Sequence, residues 1–505
     1  MVRRRLIAWS TVVAAACLAP PLTATGSPGG DPGHTDTAGL SQAEIEVGLD
    51  SASLPLKFLR RLGMLVFTTP FRAADGFGDG PFDPQEQPPL AFGHRPTLGG
   101  NGTLLRVNGL DAQSCNECHT IVSQATRPPT LGIGGVGGLV QSAVIAPTLI
   151  DVADSFDDRV QYEPGHDPDL PLEFDGVADF TGRLANPPFL FGGGGVELLA
   201  KEMTADLQSL LAAARAALPG TVTPLDTHGV HFGTITTVDS AGDVELELEG
   251  IGPGDPASRP PEEVLVVRPF GRKGENFSMR DFDRGAMQFH FGIQPVEVVG
   301  EDADEDGDGI VNEVTVAEMT VLHIFDVTNP RPRRDALGPA GQAGLRTFRQ
   351  IGCAACHRPA MKTRSRLLPL AFPEVAARPG DNVYALIDLT RAGFRPVPGE
   401  SGVFVPLFAD LKRHRMGPRL AESFELADIP NDEFTTARLW GVADTSPYLH
   451  DGRATTLFEA IEMHGGEAQA ARDAFVALPA DKQGQVLHFL GKLRAPEDPN
   501  QELLE

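Results

Sequence analysis

Hydrophobic and polar positions along the chain predict helices near both ends and a β-rich stretch between them. Residues 43–69 and 338–352 read as helices, and 481–493 reads as an amphipathic closing helix. Residues 221–253 alternate between apolar and polar side chains, with the tetrapeptide SAGD as a turn, which is typical of strands. The pattern therefore predicts a mainly α protein with a small β insertion at about residues 220–270.

The N-terminal segment has the pattern of a targeting sequence. A charged MVRRR stretch precedes a short apolar run and small residues, which is typical of a secretory signal peptide over residues 1–26. Every later apolar run falls short of ~18 residues, so we expect no transmembrane segment. The protein is therefore expected to be periplasmic or secreted. Cys17 follows three alanines, which leaves a lipoprotein anchored at Cys17 as an alternative.

Apart from Cys17, every cysteine of the 505-residue chain lies in a Cys-x-x-Cys-His motif. No cysteine is left for a structural bridge, which indicates that the exported protein uses its thiols for chemistry. The two motifs consist of Cys115, Cys118 and His119 and of Cys353, Cys356 and His357.

This spacing is the attachment signature of a c-type haem. Two thiols separated by two residues reach the two vinyl groups of one haem, and the adjacent histidine becomes the proximal iron ligand. A zinc knuckle would need four ligands within one small loop, and the two motifs lie far apart. A thioredoxin-like redox motif gives no reason for the histidine. We therefore expect two covalently bound haem c groups as cofactors.

The domain organisation follows from these motifs. A helix, a haem motif, loops and a final helix make up the plan of a cytochrome c domain, and residues 338–495 fit it. Residues 27–42 are rich in glycine, proline and threonine and read as a linker. Residues 43–328 are expected to form a first cytochrome c-like domain, which contains the β insertion. The NPRPRR stretch at 329–334 is the predicted boundary.

Residues 302–313, DADEDGDGIVNE, fit the loop pattern of calcium-binding EF-hands. Glycine at 309 replaces the expected apolar residue, and no helix obviously precedes the loop. We therefore expect a single calcium loop rather than an EF-hand pair, with a solvated acidic turn as the alternative. The predicted ligands are Asp302, Asp304, Asp306, Asp308 and Glu313.

The formal net charge of −26 disfavours nucleic acid and anionic lipid as partners. It would suit a basic electron carrier, although solubility or salt adaptation is the simpler explanation.

The C-terminal third resembles a known family. The stretches FADLKRHRMGPRLAES, EFTTARLWGVADTSPYLHDGRATTLFEAIEMHGGEA and IGCAACHRPA are similar to the bacterial di-haem oxidoreductases of peroxidase or thiol oxidoreductase type. These are relatives of the di-haem cytochrome c peroxidases and of the di-haem enzyme that matures methylamine dehydrogenase. The resemblance is strong over 339–493 and moderate over 55–120 and 178–300.

The resemblance implies further site residues. His464 stands where the family places the distal ligand of the second haem, with Met416 and Met463 as alternatives. Glu297 stands in the segment that supplies a proton-moving glutamate near the first haem, with Glu197 as the alternative. No histidine follows His119 closely, which implies that the first haem has an open face. The single tryptophan of the mature chain, Trp440, either relays electrons or only packs.

The implied function is an exported di-haem peroxidase. Hydrogen peroxide or another small-molecule oxidant would be reduced at the first haem, with electrons from a small redox protein that pass through the second haem. Two alternatives remain. One is a di-haem oxidase of a thiol, a small molecule or a protein side chain, and the other is a non-enzymatic electron-transfer cytochrome.

Overall fold

A computed structural model describes residues 40–78, 112–119, 142–144, 183–252, 259–422, 429–497 and 499–504. The predicted signal peptide, Cys17 and most of the predicted linker lie outside these residues. Of the described residues, 39% are helical and 15% are in strands. The fold therefore mixes helices with strands, and the two cytochrome c-like domains stay a prediction. No described helix combines the length and the apolar content needed to cross a bilayer.

The helices confirm the segments that the hydrophobic pattern predicts near both ends of the chain. The described α-helices are α1 Gln42–Asp50, α2 Leu56–Thr68, α3 Cys115–Cys118, α4 Gly193–Arg215, α5 Pro261–Val264, α6 Met279–Ala286, α7 Val296–Val299, α8 Val316–Val327, α9 Gly338–Gln350, α10 Leu457–Met463, α11 Gln469–Val476, α12 Ala480–Leu490 and α13 Gln501–Leu504. A single π-helical turn, Met287–Phe291, continues α6.

The strands form small antiparallel sheets. The described strands are β1 Ser142–Val144, β2 Arg183–Ala185, β3 Val222–Thr227, β4 Val230–Thr237, β5 Val244–Leu248, β6 Arg333–Arg334, β7 Met361–Lys362, β8 Leu367–Ala371, β9 Val383–Asp388, β10 Arg395–Pro396, β11 Val403–Val405, β12 Arg413–Arg415, β13 Glu433–Thr435 and β14 Leu493–Arg494. The predicted β-rich segment becomes the three-stranded sheet β3-β4-β5, and the other described sheets are β1-β2, β10-β11-β7, β12-β13, β14-β6 and β8-β9.

Helices α2 and α8 form the centre of the larger core. Gly63 lets α2 approach α8 closely, because a Cβ at this position would clash with the carbonyl oxygen of Val321. Phe67 and Phe325 pack with their ring centroids 5.5 Å apart. This pair of helices supplies one wall of the cavity at the first haem motif.

Helices α9 and α12 form a second, smaller core beside the second motif. Phe348 of α9 and Phe489 of α12 pack edge to face, with centroids 5.4 Å apart. Cys353 packs against this cluster, so the second motif is anchored where the two helices meet.

Packing between the two halves crosses the predicted boundary at 329–334. Strands β7, β8, β9 and β11 contribute buried residues to the larger core, although they follow that boundary in the chain. The C-terminal tail returns to α2, where Arg60 donates hydrogen bonds to Asn500 and Glu502 at 2.7 and 2.6 Å. The predicted domain limits therefore do not separate two independent cores, and they stay predictions.

The α9–α12 crossing gives a stability prediction. A Cβ at Gly344 would clash with the carbonyl oxygen of Gln485, whereas a Cβ at Gly484 of α12 would meet open space. We expect Gly344→Ala to lower the free energy of unfolding by about 1–3 kcal/mol through overpacking. The matched Gly484→Ala should raise it by about 0.5–1 kcal/mol through helix propensity. Denaturant unfolding measures both, and equal effects of the two variants would contradict the close crossing.

Candidate functional site

The first motif begins a one-turn helix. Cys115 and Cys118 are three residues apart on α3, so their side chains lie on the same helix face. The backbone N–H of His119 donates to the carbonyl oxygen of Cys115 at 2.8 Å, which places the imidazole directly after this turn. Burial, reinforced by the nearby Asp326 and Asp283 carboxylates, raises the pKa of the Cys115 thiol. Thiolate reactivity is therefore disfavoured.

A cavity of about 40 Å³ lies against both cysteines and His119. The walls come from α2, α6, the π-helical turn and α8. Most of the lining is apolar and includes Phe67, Leu190, Met287, Phe291 and Leu322.

The residues of this cavity fit a covalently attached haem. Nδ1 of His119 is buried and has no hydrogen-bond partner among the described residues. Burial, with a smaller contribution from His290, lowers the pKa of His119 to about 3, so the imidazole stays neutral. A neutral imidazole is the form that binds a metal. Two adjacent thiols, an apolar wall and this imidazole are what a haem c needs.

His290 is a cavity residue that sequence reasoning missed. It lies on the π-helical turn, in the sequence MQFHFG, and lines the cavity together with His119. Single π-helical turns within helices are frequent at functional sites. The only sequence signal is the position of His290 just before the QPVE stretch that contains Glu297. The absence of a histidine soon after His119 therefore does not by itself show an open face.

Asp283 is a second cavity residue that the sequence did not single out. It is buried on α6, and its Oδ2 has no partner among the described residues. Burial, with the nearby Asp326 and Glu197, raises the pKa of Asp283 well above its usual value. Because its pKa is raised, this carboxyl group holds its proton to a higher pH than an ordinary aspartate does and can act as a proton donor. In the sequence RDFDRG nothing distinguishes this aspartate from a surface residue.

Glu297 forms a buried ion pair. Its carboxylate accepts hydrogen bonds from Nε of Arg280 at 3.0 and 3.2 Å, and both side chains are almost fully buried. Arg280 also donates to Thr320 Oγ1 at 2.8 Å and lies over the ring of Phe372. Glu297 is near Asp283, whose pKa it helps to raise, but it does not line the cavity. A catalytic role for Glu297 stays a prediction.

Glu197 lies at the centre of a buried polar network. Its carboxylate accepts from Lys201 Nζ at 2.8 Å and from the backbone N–H of Met279 at 3.0 Å, and it lies 3.2 Å from His323 Nε2. Burial opposes ionisation, but Lys201 and His323 prevail and lower the pKa of Glu197. One potential metal-ligating atom from each of Glu197, His323 and Glu374 lies within 4.8 Å of the other two. The ammonium group of Lys201 pairs with both glutamates, so a protein cation already neutralises this cluster.

The second motif places two histidines close together. The rings of His357 and His464 have centroids 6.3 Å apart. Two imidazoles bound on opposite sides of one metal ion, at about 2 Å each, hold their centroids roughly 6 Å apart. Nδ1 of His357 lies 3.1 Å from the carbonyl oxygen of Phe408, and Nδ1 of His464 lies 2.7 Å from that of Ala460. This arrangement presents Nε2 of both rings to an iron.

Electrostatics at the second motif agree with this geometry. Burial, and next the charge of His464, lowers the pKa of His357 to about 4, and burial also lowers the pKa of His464. Both imidazoles therefore stay neutral near pH 7. The carbonyl oxygen of Met416 packs against Gly465, the residue after His464. The residues fit a second haem c, and the choice of His464 over Met416 stays a prediction.

Two further residues lie beside these sites. His414, which sequence reasoning missed, has its ring nitrogens 2.9 Å from a carboxylate oxygen of Asp410 and 2.7 Å from one of Glu467, and it lies close to Cys356.

Trp440 is buried and packs on Phe394, and a Cβ built at Gly192 would lie 2.8 Å from its ring. Trp440 therefore contacts both halves of the chain.

The acidic loop brings together a different set of carboxylates from the predicted one. Oxygen atoms of Asp304, Asp306 and Asp308 lie within 4.8 Å of one another. Asp302 pairs instead with Asn312, through hydrogen bonds of 2.9 and 3.0 Å. Burial, with the neighbouring aspartates, raises the pKa of Glu313 to about 9. The cluster begins two residues later than the sequence pattern suggested.

Residues 396–493 match the sequence model of the family described as "Di-haem oxidoreductase, putative peroxidase". The predicted resemblance is thereby confirmed over this segment. The match contains His464 and Met416 but neither Cys-x-x-Cys-His motif.

No functionally curated protein matches the chain. Among solved structures, hydrazine synthase from Kuenenia stuttgartiensis shares 15% identity over 59% of this chain and 87% of that chain, with a TM-score of 0.25. A MauG-like protein associated with microbial copper homeostasis shares 15% identity over 62% of this chain and 91% of that chain, with a TM-score of 0.24. Structural similarity at TM-scores this low does not support any inference about this chain.

The polar network around Glu197 gives a second stability prediction. Lys201→Met removes the cation that compensates a fully buried carboxylate, so we expect a loss of about 3–5 kcal/mol in the free energy of unfolding. The control Lys362→Met breaks an exposed pair with Glu400 and should cost about 1 kcal/mol or less. Adding Glu197→Gln to Lys201→Met should recover part of the loss. A double variant no more stable than Lys201→Met would contradict the assigned pairing.

Proposed function

We propose that this chain is an exported di-haem c-type oxidoreductase that reduces hydrogen peroxide at the first motif with electrons received through the second. The observation that carries the proposal is the asymmetry between the two motifs. At the second, the ring centroids of His357 and His464 lie 6.3 Å apart, which is the spacing of two ligands on one ion. At the first, His119 lines a mostly apolar cavity together with both cysteines. The match of residues 396–493 to the di-haem family supports the same proposal.

When bound, the two haems supply the one-electron redox chemistry. Cys115, Cys118 and His119 would hold one of them, and the second motif with His464 would hold the other. His357 and His464 are positioned by backbone carbonyl groups, so a site with both ligands in place favours electron transfer without ligand exchange.

The proton chemistry is assigned to Asp283. Reduction of one hydrogen peroxide to two water molecules consumes two electrons and two protons, so a proton-holding group must face the cavity. Asp283 lies in the lining, its Oδ2 has no partner among the described residues, and its raised pKa favours the protonated form. Glu297 and Glu197, which are paired with Arg280 and Lys201, act in this proposal as positioning residues.

The electron donor is proposed to be a small redox protein with a basic surface. The chain carries a formal net charge of −26, which would steer such a donor by long-range attraction. Export is proposed from the N-terminal signal pattern.

His290 favours one alternative, a non-enzymatic electron carrier. It lines the first cavity together with His119, and a second axial histidine there would close the site.

The other alternative is an oxidase that draws electrons from a thiol, another small molecule or a protein side chain. Such an oxidase uses the same open site, and its electron source distinguishes it from a peroxidase.

Electron paramagnetic resonance of the oxidised holo-protein tests the asymmetry. We expect one high-spin ferric signal, which hydrogen peroxide changes, and one low-spin signal. His464→Ala should abolish the low-spin signal, whereas His488→Ala, a change of an exposed histidine on α12, should leave both signals in place. His290→Ala should retain the high-spin signal. A wild-type protein that is entirely low-spin, with a high-spin signal only in His290→Ala, would show an electron carrier.

The role of Asp283 predicts a kinetic effect. Asp283→Asn keeps the shape of the side chain but cannot deliver a proton, so we expect peroxide turnover with a reduced small cytochrome to fall by roughly 10²–10⁴-fold. The spin-state signals should be unchanged. Asp50→Asn, a change of an exposed residue at the end of α1, is the control and should keep full turnover. Unchanged turnover in Asp283→Asn would remove Asp283 from the mechanism, and faster consumption of thiols than of cytochrome would favour the oxidase.

A further inference from the structure

We propose that the acidic loop 302–313 binds one Ca²⁺ through Asp304, Asp306 and Asp308, and that the bound ion fixes the wall of the first haem cavity. Calcium binding does not depend on the proposed function. The effect on the cavity does, because it is read through the haem.

The three aspartates have the spacing of ligands to one ion. Their oxygen atoms lie within 4.8 Å of one another, and each can therefore reach a common ion at about 2.3–2.6 Å. Gly307 and Gly309 both have positive φ angles, 73° and 91°, which lets the chain turn tightly between the aspartates. In the described part of the chain, no lysine or arginine pairs with these carboxylates.

Two buried oxygen atoms point independently to a ligand. Asp306 is 1% exposed and Glu313 is 2% exposed. Oδ2 of Asp306 and Oε1 of Glu313 are buried, and neither has a hydrogen-bond partner among the described residues. Buried carboxylate oxygens without donors are costly, and native proteins pair such atoms with a donor or an ion. Asp306 is itself a member of the three-aspartate cluster, and Glu313 ends the same loop.

The chemistry of this set favours calcium. All of the candidate ligands are hard carboxylate oxygens, without sulfur or nitrogen donors, as calcium and magnesium prefer. Calcium accepts irregular geometry and six to eight oxygens, and a flexible glycine-containing loop meets that requirement better than the strict octahedron of magnesium.

The loop is attached at two points to the segment that contains the candidate site residues. Oε2 of Glu313 accepts a hydrogen bond from the backbone N–H of Gln294 at 2.7 Å. The side-chain oxygen of Gln294 accepts one from the backbone N–H of Glu305 at 3.1 Å. The neighbouring Pro295 pairs with Val314 in a β-bridge. An ion that orders the loop therefore also orders the chain between His290 and Glu297.

Glu313 also contacts residues 71–78, a second part of the chain that packs against the cavity lining. A Cβ at Gly76 would clash with the carboxyl group of Glu313, so the chain at 71–78 lies directly against it. Phe71 in this stretch packs on Phe291, which lines the cavity, with centroids 5.2 Å apart. The backbone N–H of Gly78 donates to the carbonyl oxygen of Phe291 at 3.1 Å. Contacts thus run without a break from the loop to the cavity.

Calorimetric titration of chelator-treated holo-protein with CaCl₂ tests the site. We expect one Ca²⁺ per chain in the wild type and an affinity at least tenfold lower in Asp306→Asn, because a ligand charge is lost. Glu301→Gln removes an exposed carboxylate next to the loop and should bind calcium like the wild type. No calcium uptake by the wild type, or equal affinity in Asp306→Asn, would overturn the site.

The effect on the cavity has its own readout. Removing calcium from the wild type should change the high-spin haem absorption and lower the thermal midpoint, and added CaCl₂ should restore both, whereas MgCl₂ at equal concentration should not. Calcium that binds without any change in the high-spin absorption would overturn the link to the cavity. A protein that binds calcium but shows no c-type haem spectrum would contradict the proposed function and leave the calcium site standing.

Discussion

The first cavity depends on compensation of buried charge in the polar wall behind it. Glu197, Lys201 and His323 are almost completely excluded from water, and an unpaired charge among them would cost several kcal/mol. Lys201 and His323 both lie within hydrogen-bonding distance of Glu197, and Glu297 and Arg280 form a second buried pair beside them. Among the described residues no cation pairs directly with Asp283, and burial raises the pKa of that carboxyl group. The structural ion pairs and the proposed proton donor are therefore two results of the same constraint.

The difference between the two motifs follows from what packs beside each of them. Around the second motif, α9 and α12 pack beside Cys353, and the carbonyl oxygen of Phe408 lies 3.1 Å from Nδ1 of His357. Around the first motif, residues of the π-helical turn line a cavity. Identical attachment motifs can therefore serve different roles, because the motif determines where the cofactor is attached and the surrounding core determines access to it.

Sequence patterns predicted the features that depend on local spacing. The two Cys-x-x-Cys-His motifs, the helices at 338–350 and 480–490 and the β-rich segment are of this kind, because neighbouring residues decide each of them. His290 and Asp283 could not be predicted, because they reach His119 only through packing of a segment more than 160 residues away in the chain. The acidic loop lies between these cases: its composition was evident, but the sequence did not show which of its carboxylates cluster.

The contacts of residues 279–297 explain why such distant residues act together. This segment carries Asp283, the π-helical turn with His290, and Glu297, and it is held at both ends. At its start, the backbone N–H of Met279 donates to Glu197, so the buried polar network fixes where α6 begins. Near its end, the backbone N–H of Gln294 donates to Glu313 of the acidic loop. A segment restrained at both ends by carboxylates has little freedom to move its cavity-facing side chains. Loss of either restraint would therefore disturb the first motif without any change to Cys115, Cys118 or His119.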